Sequence, residues 1–212
     1  MALLEEISKY LQQGRAKNVK ELVQKALDEG IEPTDILNEG LLDGMGIIGE
    51  KFKNNEVYVP EVLIAARAMY AGMEIIRPIL TETGVKSIGK VVIGTVKGDL
   101  HDIGKNLVKM MMEGRGLEVI DLGIDVSPER FIEAAKEHDA QIIACSALLT
   151  TTMTEMKNVV EVAREAGIRD QVTIMVGGAP VTDSFCKSIG ADIYTADAAS
   201  AAEEAARACK SA

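Results

Sequence analysis

Apolar residues in the first part of the chain recur every three or four positions, which is the spacing of amphipathic helices. This pattern predicts two helices within residues 3–27. A third helix is predicted to begin at Pro33 and to run towards Phe52, and Pro60 opens a fourth after the polar loop KNNEVY, because proline is tolerated in the first turn of a helix. Four helices with short connections form a small bundle.

From Lys90 onwards, short runs rich in β-branched residues alternate with helical stretches. Such alternation is typical of βαβ units, in which a parallel sheet carries helices on both faces. We therefore predict an α/β chain whose second half is a flavodoxin-like, doubly wound sheet of five parallel strands, a fold that binds ligands at the carboxyl ends of its strands. The predicted strands lie in KVVIGTV, LEVIDLG, AQIIACSA, VTIMVGG and ADIYT, and the predicted helices span 103–115, 128–137, 152–166, 181–188 and 198–209.

The change of pattern divides the chain into two predicted domains. The polar segment TETGVKSIG, residues 81–89, contains two glycines and is the predicted linker. A four-helix bundle is expected over residues 1–88 and a Rossmann-like domain over residues 89–212, and each domain is long enough to bury a core of its own.

Charge and composition exclude several classes of function. The net charge is −10 and no basic stripe is present, which argues against binding to nucleic acid or to an anionic membrane surface. No apolar run approaches the roughly 20 residues that span a bilayer. The three cysteines lie far apart and the first residues lack the pattern of a signal peptide, so we expect no disulfide framework and a cytoplasmic protein.

The segment KGDLHDIGKN, residues 97–106, follows the first predicted strand and carries the candidate chemistry. Asp99, His101 and Gly104 form a D-x-H-x-x-G pattern there. Imidazole is a common metal ligand and binds best when its other nitrogen donates to a carboxylate, which Asp99 can supply. The pattern alone equally allows His101 to cap a helix or turn and Asp99 to form an Asx-turn.

A metal bound by His101 must bring most of its own ligands. A zinc site made only of protein needs three or four ligands. The chain contains two histidines, and His138 is expected on the surface near a helix end. A tetrapyrrole-type cofactor meets this condition, because its ring already fills most of the coordination sphere of the metal.

Three motifs together resemble the signature of cobalamin-binding domains. They are D-x-H-x-x-G after the first strand, Ser146-Ala147-Leu148 after the third and Gly177-Gly178 after the fourth. That signature occurs in cobalamin-dependent methionine synthase and in the corrinoid proteins of methanol, methylamine and methoxy-aromatic methyltransferase systems. The helical half resembles the cap of this family in GMGIIGEKF and VPEVLIAARAM, so the resemblance covers nearly the whole chain.

The resemblance implies that the chain binds cobalamin, or a related corrinoid, including methylcobalamin. The nucleotide base leaves the cobalt and enters a cleft of the sheet, and His101 replaces it as lower ligand. Glycines then leave room for the tail, Gly94 among them, and the hydroxyls of Ser146 and Thr150 bond either the tail or the Asp99–His101 pair. Met69 packs in the bundle or lies over the upper face of the corrin. The expected cofactor-binding residues are Met69, Gly98, Asp99, His101, Asp102, Ile103, Gly104, Ser146, Leu148, Thr150, Gly177 and Gly178, with His101 as the metal ligand.

By the same resemblance the chain is a methyl carrier rather than a complete enzyme, since no separate set of general base and nucleophile is visible. The cobalt would cycle between Co(I) and methyl-Co(III). The implied partners are a substrate-specific methyltransferase, a methyltransferase that passes the methyl group to folate or a thiol, and a reductive activator. The alternatives are the small subunit of an adenosylcobalamin mutase, a cobalamin-dependent sensor, and a flavodoxin-like domain without corrinoid. The sequence leaves the methyl donor, the acceptor, the lower base and the oligomeric state open.

Overall fold

The computed structural model describes residues 2–84 and 86–211, with the side chain of the last of these excepted. The chain divides into two compact units, one ending at Lys86 and the other beginning at Ser87. Val85, within the predicted linker at 81–89, lies outside the described residues. Thr81 and Glu82, which were assigned to that linker, form the end of a helix instead.

The first unit is helical, as predicted. Its third helical stretch is continuous from Pro33 to Lys53 but passes through a π-helical segment, so the four predicted helices are confirmed. The fourth begins with Pro60 in its first turn, where the Glu61 carboxylate accepts a hydrogen bond from the Tyr58 N–H at 3.0 Å. The elements are α1 (Ala2–Gln12), α2 (Ala16–Asp28), α3 (Pro33–Asp35), the π-helical segment Ile36–Leu42, α4 (Asp43–Lys53) and α5 (Val59–Glu82).

The second unit is a five-stranded parallel sheet with the strand order β2-β1-β3-β4-β5, which confirms the flavodoxin-like prediction. The strands are β1 (Lys90–Thr95), β2 (Glu118–Asp121), β3 (Ile142–Ser146), β4 (Thr173–Gly177) and β5 (Ile193–Tyr194). The helices are α6 (Ile103–Glu113), α7 (Pro128–Glu137), α8 (Glu155–Glu165), α9 (Asp183–Ile189) and α10 (Ala198–Ser211). The middle strands are buried along almost their whole length, as a sheet covered on both faces requires.

The register of the sheet brings three strand ends side by side. Thr95 at the end of β1 pairs with Ser146 at the end of β3, and Ser146 pairs with Gly177 at the end of β4. The loops that follow these strands therefore leave the sheet next to one another. The three motifs found in the sequence lie in or next to these loops.

Gly94, near the end of β1, does not line an open cleft. A Cβ at this position would lie 2.9 Å from the ring of Phe131 on α7, so the missing side chain makes room for a buried core residue. The expectation that Gly94 leaves space for a cofactor tail is therefore wrong. Along the described parts of the chain, no helix combines the length and the apolar character needed to cross a membrane.

Candidate functional site

The Asp99 carboxylate is fully buried and accepts hydrogen bonds from two loops. One oxygen, Oδ1, accepts from the backbone N–H of His101 at 3.1 Å and contacts Nδ1 of the same residue at 2.7 Å. The other, Oδ2, accepts from the N–H groups of Leu148 and Leu149 at 2.8 and 3.2 Å and from Oγ1 of Thr152 at 2.6 Å. The carboxylate thus ties the loop after β1 to the loop after β3.

These contacts determine the charge of Asp99. Burial by itself raises the pKa of the carboxyl group, but the hydrogen bonds from Thr152, Leu148 and His101 outweigh it and hold the pKa well below its usual range. Asp99 is therefore ionised at neutral pH and can only accept hydrogen bonds. It follows that Nδ1 of His101 carries the proton and that Nε2 presents a lone pair.

The loop that carries His101 is braced at several points. The hydroxyl of Thr95, at the end of β1, donates to the backbone carbonyl of His101 at 2.9 Å. From the loop after β2, the carboxylate of Asp125 accepts from the N–H of Gly98 at 2.7 Å, and the N–H of Asp125 donates to the carbonyl of Asp99 at 3.1 Å. The backbone around the imidazole is thus fixed, while its side chain is 51% exposed. A half-exposed imidazole with a free Nε2 can bind a metal from solution.

Exposed apolar side chains occupy the loops on the same edge of the sheet. They include Leu100 and Ile103 after β1, Ile124 after β2, and Leu148 and Leu149 after β3. Ile103 is 77% exposed although it begins a helix. Large apolar residues grouped at one edge of a soluble domain indicate a surface that a ligand or partner covers.

The glycines at this edge behave in two ways. A Cβ on Gly104 or Gly177 would meet no atom within 4 Å, so both face open space. Gly178 has a φ of +129°, and its Cβ would lie 1.8 Å from the carbonyl oxygen of Ala147. Gly178 is therefore required by the close approach of two chain segments, whereas Gly104 and Gly177 leave room beside the sheet.

The hydroxyl that reaches the pair of Asp99 and His101 belongs to Thr152, which the sequence analysis missed. Ser146 is the last residue of β3 and Thr150 is exposed in the following loop, so the expectation that either bonds the pair is wrong. Three consecutive threonines, residues 150–152, made the choice impossible from sequence, because only one of them turns inward.

The remaining predicted residues divide between the two units. Asp102 caps the start of α6, where its side chain accepts a hydrogen bond from Asn106 at 3.1 Å. Met69 is 2% exposed within the helical unit, which supports the packing role that the sequence left open. Within the residues that the structure describes, no group of three or more His, Cys, Asp and Glu side chains could hold a metal ion. A metal bound by His101 must therefore bring its other ligands with it.

Comparison with known families agrees with this geometry. A model of the B12 binding domain matches residues 89–207, and a second B12 binding domain model matches residues 3–77. Trimethylamine corrinoid protein 1 of Methanosarcina acetivorans is 48% identical over 176 residues, 82% of either chain. A corrinoid protein of Desulfitobacterium hafniense is 40% identical over 206 residues, 96% of this chain and 95% of its own.

Solved structures extend the likeness to the fold of the whole chain. A chain in the crystal structure of the methanol:cobalamin methyltransferase complex of Methanosarcina barkeri is 30% identical and superposes with a TM-score of 0.89. The match covers 100% of this chain and 81% of that chain. The chain therefore belongs to the corrinoid proteins of methyltransferase systems, which carry B12-binding domains.

Proposed function

We propose that this chain carries methyl groups on a corrinoid whose cobalt is bound by Nε2 of His101, with the nucleotide base of the cofactor displaced. The single observation that carries this proposal is the bond between Nδ1 of His101 and the buried, ionised carboxylate of Asp99. That bond leaves the other ring nitrogen with its lone pair on the half-exposed side of the imidazole. When bound, the corrinoid supplies a cobalt ion that takes up and releases the methyl group.

The surroundings of His101 fit such a cofactor. A corrin ring is broad and largely apolar, and exposed apolar side chains such as Leu100, Ile103 and Leu148 lie in the adjacent loops. The open positions at Gly104 and Gly177 leave space next to them. We further propose that the displaced nucleotide tail lies beside Gly177, where Ser146 and Thr150 remain candidates for hydrogen bonds to it.

Asp99 also gives the chain a means of adjusting the ligand. By holding the proton on Nδ1, the carboxylate makes Nε2 a stronger electron donor than a free imidazole. Thr152 and the backbone N–H groups of Leu148 and Leu149 hold the carboxylate in place and keep it ionised. The strength of the bond from His101 to a metal therefore depends on a hydrogen-bonded chain that begins in the loop after β3.

The partners follow from the relatives. Proteins similar to this chain are named as corrinoid proteins for trimethylamine, and one lies in a methanol:cobalamin methyltransferase complex. We propose that this chain acts in the cytoplasm with a substrate-specific methyltransferase, with a second methyltransferase that uses a folate or thiol acceptor, and with a reductive activator. The family match over residues 3–77 supports the carrier over a mutase subunit, which would resemble the second half alone.

Electron paramagnetic resonance tests the proposed ligand. Histidine in the protein is labelled with nitrogen-15, and the protein is loaded with cob(II)alamin, which carries one unpaired electron. A nitrogen-15 ligand splits the cobalt lines into doublets, whereas the nitrogen-14 of the cofactor's own base splits them into triplets. We expect doublets from the wild type.

Two variants complete the test, since the chain has only two histidines. His101→Ala should lose the doublets, and His138→Ala should keep them, because His138 caps α7 just before β3 begins, at the other edge of the sheet. Triplets from the wild type would show that the base stays on the cobalt and would overturn the proposed ligand.

A transfer assay tests the carrier role. Protein loaded with methylcobalamin and incubated with a thiol should keep its methyl group until a methylcorrinoid:thiol methyltransferase is added. Rapid transfer by the loaded chain alone would mean that it contains an acceptor site of its own, and the carrier assignment would fail.

A further inference from the structure

Lys105 is a buried cation in an unfavourable place. It is the third residue of α6, and its side chain is only 3% exposed. The first turn of a helix is the positive end of the helix dipole, which repels cations. Removal of an ammonium group from water carries a further cost that an ion pair often fails to recover. Stability alone therefore gives little reason for a lysine at this position.

The ammonium group joins two parts of the unit. It donates to Oδ1 of Asp121, the last residue of β2, at 2.5 Å and to Oδ1 of Asn106 at 2.9 Å. Lys109, one turn further along α6, contacts the other oxygen of Asp121 at 3.3 Å but is 29% exposed. Asp121 in turn accepts from the N–H of Gly123 at 2.9 Å. Lys105 is thus fixed between the end of β2 and the first turn of α6.

The contact with Asn106 extends to the residue next to His101. Because Lys105 occupies Oδ1 of Asn106, the amide nitrogen of Asn106 faces Asp102 and donates to its Oδ2 at 3.1 Å. The backbone N–H of Asn106 donates to the carbonyl of Asp102 at 2.8 Å. Asp102 directly follows His101 in the chain. Asp99 holds one side of His101, and this series of contacts holds the other.

We propose that Lys105 is a positioning residue for His101: through Asn106 it fixes Asp102 and thereby directs Nε2 of the imidazole at the cobalt. This inference rests on the proposed function. A lysine at this position selects one of the two orientations of the Asn106 amide, which an apolar side chain cannot do. The imidazole then enters the metal complex without first ordering its own loop.

Lys105→Met tests the proposal, with Lys109→Met as the matched control. Both variants remove one cation that contacts Asp121, but only the first removes the partner of Asn106. Each protein is labelled with nitrogen-15 histidine and loaded with cob(II)alamin. We expect the ratio of cobalt with doublets to cobalt without them to fall about tenfold in Lys105→Met, as for other residues that orient a metal ligand. Lys109→Met should stay close to the wild type.

Asn106→Ala provides a second variant that leaves no buried charge unpaired and suits a helix. It should reduce the doublets as Lys105→Met does, while the unfolding temperature of the cofactor-free protein stays near that of the wild type. Wild-type ratios in Lys105→Met and Asn106→Ala, beside normal doublets in the wild type, would overturn the positioning role alone. A wild type without doublets would overturn the proposed function and this inference with it.

Discussion

Thr152→Val replaces one buried hydroxyl with a methyl group of nearly the same size. The lost contact is the 2.6 Å hydrogen bond to Oδ2 of Asp99, and both side chains are shielded from water. A hydrogen bond to a charged group contributes about 1.5–3 kcal/mol, and Asp99 keeps its bonds to the backbone N–H groups of Leu148 and Leu149. We therefore expect the free energy of unfolding to fall by about 2 kcal/mol.

Thermal unfolding of the cofactor-free protein measures this loss. For a chain of this size, about 2 kcal/mol corresponds to a decrease in Tm of about 4–8 °C. Thr154→Val is the matched control, because its hydroxyl donates to the carbonyl of Thr151 in an exposed position. The control should melt within about 1 °C of the wild type. A Thr152→Val protein that melts like the wild type, or a control that loses as much, would refute the reasoning.

The pH dependence gives an independent check. The folded state lowers the pKa of Asp99 from its usual value, so the stabilisation is present above the unfolded pKa of about 3.9 and is lost as the pH falls through the lowered folded pKa. Loss of the Thr152 hydroxyl lets the folded pKa rise towards the usual value. We expect the acid-unfolding midpoint of Thr152→Val to lie at a higher pH than that of the wild type. Equal midpoints would mean that the hydroxyl does not act on the charge of Asp99.

Three further predictions concern other parts of the chain. Gly178→Ala should lose more than about 3 kcal/mol in chemical denaturation, because its Cβ collides with a backbone carbonyl at a positive φ, whereas Gly104→Ala should fold normally and bind corrinoid less tightly. Burial raises the pKa of Cys145 to about 12, so at pH 8 iodoacetamide should modify the half-buried Cys209 well before Cys145, as mass spectrometry of peptides would show. Residues 89–212 expressed alone should unfold cooperatively in a thermal melt, and a melt without a transition would contradict the proposed domain division.

The fold could be predicted because the hydrophobic pattern changes period once, near Lys90. Each β-branched run of the second half became a strand of the sheet, in the order that short crossover connections favour. The π-helical segment Ile36–Leu42 could not be predicted, because its apolar spacing differs little from that of an α-helix. The environment of Gly94 was also hidden, since it depends on where Phe131 packs.

The candidate site was predicted in part. The position of His101 after the first strand and its bond to Asp99 followed from the motif and the fold. Thr152 could not be chosen among three adjacent threonines without the path of the loop after β3. Lys105 was missed because a lysine in an amphipathic helix normally faces solvent, and its burial depends on Asp121 at the end of another strand.

The absorption spectrum of the protein loaded with methylcobalamin tests the central claim most directly, since the colour of this cofactor depends on whether a nitrogen binds the cobalt from below. With the nucleotide base displaced, the wild type and His138→Ala should be red because His101 is bound. His101→Ala should hold the cofactor in its yellow form, without a lower ligand. A red spectrum shared by the wild type and His101→Ala, or the absence of any bound corrinoid in the wild type, would contradict the account.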